Sequence, residues 1–486
     1  MKNILNPNQS STKFSFVYIV CIALMLAGCG GGGSTTPITL TSIAIMPDPV
    51  FVGAGTTLSL TATGTYSNGT TADLTSSVIW KSAASAVASV DSTGLLTAGL
   101  TSPSTTTVTA ALNGVTSAPD LVTVTSATSI SSTGLNIARY DHTGTLLNDG
   151  RVLAAGGFGT SGTELASAEM YTPGTTTNTG TWTTTPNMTV ARRDHTATLL
   201  PTTGQVLILG GGARTDLDSG EMYTPASGVP GTWTALPGIL TTPRSYHTAT
   251  LLNSLLNGGK DLVLVVGGSV AGTADLYDPS SAGSAVAIAD SSPRYSHTAT
   301  LLNNGSVLVA GGFNSSTTTP ASAVLASAEL FNSAGSGVLP TGSLATARYL
   351  HSATLLDTHS PNDKVLVVGG RDARDIPLAS AELYDPVTQT WTPTGSLAIP
   401  RSGHIATLMP GGKILVMGGR NASDQNLSSA ELYDPVAGTW SGTANLQYGR
   451  AVFSATLFNS GPVAGKVLVV GGDGKAGTLS SVELHN

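Results

Sequence analysis

Arg192-Arg193-Asp194-His195-Thr196-Ala197-Thr198-Leu199-Leu200, followed after a short turn by Gln205-Val206-Leu207-Ile208-Leu209-Gly210-Gly211-Gly212, contains the pattern that organises most of this chain. An Arg-x-x-His opens a strand, a turn follows, and an apolar strand ends in Gly-Gly. The opening recurs at Arg139/His142, Arg244/His247, Arg294/His297, Arg348/His351 and Arg401/His404, and in degenerate form at Arg450/Phe453. Successive fourth positions are 53, 52, 50, 54, 53 and 49 residues apart. The glycine pairs are read at 156/157, 211/212, 267/268, 311/312, 369/370, 418/419 and 471/472. A third strand carries an acid, as in Ala381-Glu382-Leu383-Tyr384-Asp385-Pro386, and a fourth carries Trp182, Trp233, Trp391 or Trp440. Four short antiparallel strands in about 50 residues make one propeller blade, so seven such units imply an all-β, seven-bladed wheel over 127–486.

Closure follows from the ends. The seventh unit stops at Glu483-Leu484-His485-Asn486 after three strands, which leaves an open edge. Ala127 to Leu135 stands where Gly180 to Met188 supplies the fourth strand of the first complete unit, so residues near 127–133 are expected to pair with the last blade. The arrangement resembles the kelch repeat across the whole module, including the central domain of galactose oxidase. It departs from that pattern where the third and fourth units lack the Trp, where Asp275 replaces Glu, and where Phe331 and His485 replace Tyr.

Residues 38–126 read differently. Short alternating segments such as Leu58–Ala62, Val78–Trp80, Val87–Val90 and Val108–Ala111 are separated by Asn-Gly and Thr-Gly turns, the signature of a β-sandwich. Tyr66-Ser67-Asn68-Gly69-Thr70-Thr71-Ala72-Asp73-Leu74-Thr75, then Val78-Ile79-Trp80 and Gly94-Leu95-Leu96-Thr97-Ala98, resembles the bacterial Ig-like domain of group 2. The resemblance implies a spacer, with Trp80 filling the core between its sheets.

Seven of the 13 arginines open repeats, and six of the seven glutamates, with Asp275, lie in third strands. The implied ion pairs are Arg139, Arg192, Arg244, Arg294, Arg348, Arg401 and Arg450 with Glu169, Glu221, Asp275, Glu329, Glu382, Glu431 and Glu483, spent on structure. Six of the eight histidines are in register as well. In a propeller the innermost side chains face neighbouring blades, so a scaffold role is expected for them rather than a metal ring. No lysine or helix start follows the glycine pairs, so they read as tight backbone turns rather than a phosphate cradle. No metal site, cofactor or catalytic residue is assigned.

The address lies in the first 37 residues. Lys2 and Lys13, the apolar run Phe14–Met25 and Leu26-Ala27-Gly28-Cys29 read as a signal peptide over 1–28 ending in a lipobox, with Cys29 lipidated and 29–37 a Gly/Ser/Thr tether. Gly30 rather than Asp follows the cysteine, which favours the outer membrane or cell surface of an exported, lipid-anchored protein. The only other cysteine is Cys21, so the mature chain has neither disulfides nor thiol chemistry, and a copper-radical oxidase built on a Tyr–Cys crosslink is excluded. Net charge is −7 with no basic run, which argues against nucleic acid.

Positions identical in every unit read as scaffold, so a site is expected where the units differ. The turn into the first strand and the turn after Gly-Gly leave the blade at one end. That end holds Arg193, Arg214, Arg371, Arg374, Arg420, Tyr246, Tyr295, Tyr349, Phe158 and Phe313 as candidate ligand-binding residues, with Tyr140, Asp141, Asp194, Asp372, Asp375, Asp473 and Lys475 on the same face, an aromatic and arginine-bearing surface suited to a carbohydrate, a peptide or a protein partner. The alternatives are a carbohydrate-active enzyme of the sugar epimerase or mutarotase type, and a passive adhesive element. The visible acid clusters, Asp216/Asp218 and Asp372/Asp375, lie in loops, and no close acid pair with a tyrosine partner is evident from sequence.

Overall fold

The computed structural model describes residues 37–485 apart from 47–49, 54–56, 100–103, 126–128, 131–132, 175–179, 228–229, 253–256, 282, 290–291, 315–322, 333–336 and 357–362. The segment expected to be a signal peptide, Cys29 and all but the last residue of the expected tether lie outside the described residues.

The first module is a β-sandwich. One sheet orders Leu40–Met46, Thr61–Tyr66 and Thr71–Asp73; a second centres on Ser104–Leu112, flanked by Ile79–Ser82, Val115–Thr116 and Asp120–Thr125, with Val50–Gly53 parallel to the last; a third, small sheet places Leu95–Ala98 between Thr57–Ser59 and Ala88–Val90. Alternate residues of these strands fill one core, and Trp80 lies within it, its indole N–H donating to the Thr75 carbonyl at 3.0 Å.

The second module is a wheel of seven four-stranded antiparallel sheets. The sixth, for example, runs Ile405–Leu408, Ile414–Met417, Ala430–Asp434 and Thr439–Gly442. The seventh contains Ser454–Leu457, Val467–Val470 and Val482–His485, and its outer strand is Ser129–Ile130, paired antiparallel with Leu484 and Glu483. The chain thus latches its own ring, as expected. Second strands are apolar at nearly every position because a blade covers each of their faces. Leu207 and Leu209 pack on Val263 and Val265 of the third blade, while Val206 and Ile208 pack on Leu153 and Ala155 of the first. Period-two alternation therefore supplies both of a blade's interfaces.

The repeated polar residues hold each wedge to its entry loop. In the fifth blade, Arg348 Nη1 donates to the carbonyls of Gly369 (2.8 Å) and Ser380 (3.0 Å), and Nη2 donates to Ser380 Oγ (3.1 Å) and Glu382 Oε1 (2.7 Å). Glu382 also accepts from the backbone N–H groups of Ala345 (2.7 Å) and Thr346 (3.2 Å), which lead into the arginine. The ion pair forms in all seven blades at 2.5–3.3 Å with every arginine side chain fully buried. Where Asp275 replaces Glu, its shorter reach is met by Thr241, whose backbone N–H and hydroxyl both donate to it.

The glycine pair is a contact between blades. Gly370 N–H donates to Arg401 O of the next blade at 2.9 Å, and a Cβ on Gly369 (φ 62°) would stand 2.6 Å from that same oxygen. Such an approach, with positive φ, admits only glycine. In the second blade the pair in this role is Gly210–Gly211, not 211/212: Arg192 reaches the Gly210 carbonyl, and Gly211 N–H reaches Arg244 O.

Removing one partner of such a buried pair strands the other charge. Arg348→Ala or Glu382→Ala should lower unfolding free energy by about 3–5 kcal/mol in denaturant melts, while Arg374→Ala, an exposed pair, should change it by less than about 1 kcal/mol.

Candidate functional site

Each blade's entry loop reaches the propeller axis at the residue just before the histidine position. These seven residues form a closed ring of backbone hydrogen bonds. Asp194 N–H donates to Asp141 O (3.3 Å), Tyr246 to Asp194 (3.1 Å), Ser296 to Tyr246 (3.1 Å) and Leu350 to Ser296 (3.1 Å); Gly403 then donates to Leu350 (3.0 Å), Val452 to Gly403 (3.2 Å) and Asp141 to Val452 (3.0 Å). All seven are left-handed, with φ between 48° and 60°. Only one is glycine, and non-glycine residues in this region carry roughly 1–2 kcal/mol of strain each. Strain of this kind collects at functional positions.

The ring is polar through the first four blades and apolar through the last three. Tyr246 donates its hydroxyl to the Asp194 carboxylate. Burial pushes Asp141 up to about 6, partly offset by Arg193 and Arg420, with Asp473 pushing the same way as burial. Burial and the Asp141 charge push Asp194 well above the usual carboxylate range. The structure thus supplies the acid pair with a tyrosine partner that the linear sequence did not reveal. Its members stand 53 residues apart, and the one signal was their shared repeat position.

Around this mouth the entry loops pair with the loops after Gly-Gly: Tyr140 with Phe158, Arg193 with Gly212, Tyr295 with Phe313, Tyr349 with Arg371 and Ser402 with Arg420. That pairing buries most of the expected aromatic surface, which corrects it. Phe158, Tyr295 and Tyr349 are 8%, 8% and 3% exposed, and only Tyr246 and Phe313 remain half-buried. The Arg193 guanidinium lies over the Phe158 ring, 4.9 Å from its centroid, and 3.6 Å from Glu164. Arg371 pairs with Asp375 (3.1 Å) and Asp424 (2.6 Å), Arg420 with Asp473 (2.5 Å), and Arg374 with Asp372 (2.8 Å). Arg214 is exposed on its loop.

The six histidines are distributed one to an interface. His195 Nε2 meets Thr143 Oγ1 of the preceding blade at 3.1 Å, and His247, His297, His351 and His404 meet Thr196, Thr248, Thr298 and Ser352 at 2.8–3.0 Å. His142 meets Ser454 at 2.9 Å across the closure. At the seventh interface Phe453 takes the imidazole's place and Ile405 the hydroxyl's, within one apolar cluster. Among the described residues no three His, Cys, Asp or Glu converge on an ion position.

Burial, helped by the arginine three residues before, holds His142, His247, His351 and His404 near 3 and His195 and His297 well below the usual value. A depressed folded value gives stability that is complete above the unfolded value of 6.5 and is lost as pH falls toward 3. Asp141 and Asp194, with raised values, act in the opposite sense between about pH 4 and 6. Unfolding near pH 5 should therefore take up on the order of four protons, a slope of about 5 kcal/mol per pH unit. Denaturant melts from pH 7 to 4.5 measure it, and Asp141→Asn/Asp194→Asn should steepen it.

Comparison with known proteins agrees with this geometry. The Kelch motif matches residues 357–398 and 403–447, and the bacterial Ig-like domain (group 2) matches residues 39–122. No curated protein matches the chain. Among solved structures it is similar to a fungal alcohol oxidase of the AA5 family in complex with copper, with TM-score 0.55 and 16% identity over 73% of this chain and 75% of that one. That likeness is one of fold. A copper-radical centre does not fit the residues here, because both cysteines precede the propeller and the imidazoles are parted among separate interfaces. The chain thus carries Kelch motifs over 357–398 and 403–447 and a bacterial Ig-like domain (group 2) over 39–122, on an all-β fold whose second module is a seven-bladed propeller.

Proposed function

We propose that the protein is a recognition head on a spacer, lipid-anchored through Cys29 at the cell envelope, that binds a ligand at the axial end of the propeller. Kelch and bacterial Ig-like modules together suggest a protein-interaction or surface module. The supporting observation is a division of labour among charged groups. The seven arginine–acid pairs common to the blades are buried in scaffold, while the side chains that differ from blade to blade gather at one end. Loops held by a rigid frame are where binding residues accumulate. With most aromatic rings tucked beneath the loops, charge is the chief means of contact, which favours a protein or peptide over stacking on a sugar face.

A second reading, a sugar epimerase or mutarotase, draws on the Asp141–Asp194 pair, since one carboxyl that keeps its proton near pH 6 beside a second carboxyl suits general acid–base work.

Pull-down and glycan-array binding with the purified protein test the first reading. Saturable binding weakened severalfold by Arg214→Ala or Arg371→Ala supports it, turnover of a sugar anomer or epimer supports the second, and neither result leaves a passive adhesive element. Cys29→Ser should move the protein from membrane to soluble fractions; retention in membranes would refute the anchor.

A further inference from the structure

We propose that the protein holds a second ligand site, for a neutral sugar ring, in a cavity between the outer strands of the first and second blades. The cavity shares no residue with the axial loops, and the proposal does not rest on the recognition reading above.

Three observations carry it. The first is the space itself. The cavity has a volume of about 510 Å³, and Asp149, Arg151, Thr172, Thr183, Thr185 and Tyr223 are among the residues that line it. Sites for small ligands span roughly 300–1,000 Å³.

The second is that two contacts which close this region in other blades are both remade here. At the end of the third strand, Asp278, Asp385 and Asp434 pair with Lys260, Lys364 and Lys413 of their own blades at 2.7, 3.4 and 3.2 Å. The second blade keeps a neutral version, with Gln205 Nε2 donating to Thr224 Oγ1 at 2.8 Å. In the first blade Thr172 takes that place, and its hydroxyl forms no hydrogen bond among the described residues. Arg151 turns away instead. Its Nε donates to Asp149 (2.8 Å) and its Nη2 donates to the Ala226 carbonyl of the second blade (3.0 Å). The other contact joins neighbouring blades: the Tyr384 hydroxyl meets Thr341 Oγ1, and the Tyr433 hydroxyl meets Thr394 Oγ1, each at 2.6 Å. The equivalent Tyr223 accepts from Gly231 N–H of its own blade (3.1 Å), and the equivalent Thr185 hydroxyl faces the carbonyls of Ala168 (3.1 Å) and Pro186 (3.0 Å) of its own. Gly231 permits this, because a Cβ there would stand 2.7 Å from the Tyr223 hydroxyl oxygen.

The third is the chemistry of the wall. Side-chain hydroxyls both donate and accept, as sugar hydroxyls do, and the Arg151–Asp149 pair sets a donor beside an acceptor. Arg151 Nη1 forms no hydrogen bond among the described residues. Met170 adds an apolar patch for the C–H face of a ring. An anionic ligand fits less well, since Asp149 already neutralises Arg151 at 2.6 Å and no other cation lines the cavity among the described residues. A purely apolar ligand would strip water from these groups and return no hydrogen bond.

The test titrates the full chain, by calorimetry and saturation-transfer NMR, with the methyl glycosides of glucose, galactose, mannose and N-acetylglucosamine and with cellobiose, lactose and chitobiose. Expected is saturable binding of at least one of them, with glucuronate and galacturonate binding no tighter than their neutral parents. Thr172→Asp restores the acid that three other blades carry and draws Arg151 back to its own blade, so it should weaken binding about tenfold or more. Thr172→Val should weaken it several-fold, while Arg214→Ala and Arg371→Ala leave it unchanged. If Thr172→Asp does not fold, Thr183→Val, at an exposed position of the same wall, should give a several-fold loss in its place. A disaccharide that binds more tightly than its methyl glycosides also supports the site and marks a glycan chain as the source. The inference is overturned if no sugar in the set binds saturably, if binding ignores these threonine substitutions, or if a uronate binds more tightly than its parent. Sugar binding lost on Arg371→Ala but indifferent to Thr172 would refute this site and leave the recognition reading standing; sugar held here with no partner at the axial end would do the reverse.

Discussion

A buried guanidinium that binds its own blade at four points is the interaction on which this propeller depends. Each arginine ties the loop that enters a blade to the carbonyls of Gly and the third strand, and its acid partner turns back to the N–H groups of that same loop. Burying an unpaired guanidinium is prohibitive, and pairing it leaves a net effect near zero against a well-packed apolar substitute. Its value here is geometric. The donor fork of arginine is planar and rigid, so it sets the angle at which the chain passes from one blade to the next.

Closure reaches the axis by two further sets of bonds. The N–H of the second glycine in each pair meets the carbonyl of the next blade's arginine at 2.8–2.9 Å in all seven interfaces, and the ring of left-handed residues completes a circuit inside it. The strain of that ring is distributed over its six non-glycine positions, and no single blade could hold it alone. This is why the inner residues vary so freely in type. Their conformation comes from the circuit, so Asp, Tyr, Ser, Leu, Gly and Val all serve, and chemistry can change there without disturbing the frame.

The interface between the sixth and seventh blades shows the same economy in apolar form. His404 has Ile405 as its neighbour, where other blades place Thr or Ser, and the seventh blade answers with Phe453, where others place His. Either change alone would leave a buried hydrogen-bonding group without its partner. Together they exchange a hydrogen bond for a hydrocarbon contact.

Blade number, strand order, the closing strand and the identity of the scaffold residues were all determined by the sequence alone, because each rests on local periodicity or on a residue type repeated at fixed spacing. The sandwich core around Trp80 was legible for the same reason. What only the tertiary structure decided is contact between non-identical residues: Asp141 beside Asp194, Ile405 against Phe453, Gly210 rather than Gly212 beneath an arginine, and Phe158, Tyr295 and Tyr349 under the loops instead of on them. Periodicity records what seven blades share, whereas a site at the axis is assembled from one residue of each, and only ring closure brings those into a common environment where burial and charge set their chemistry.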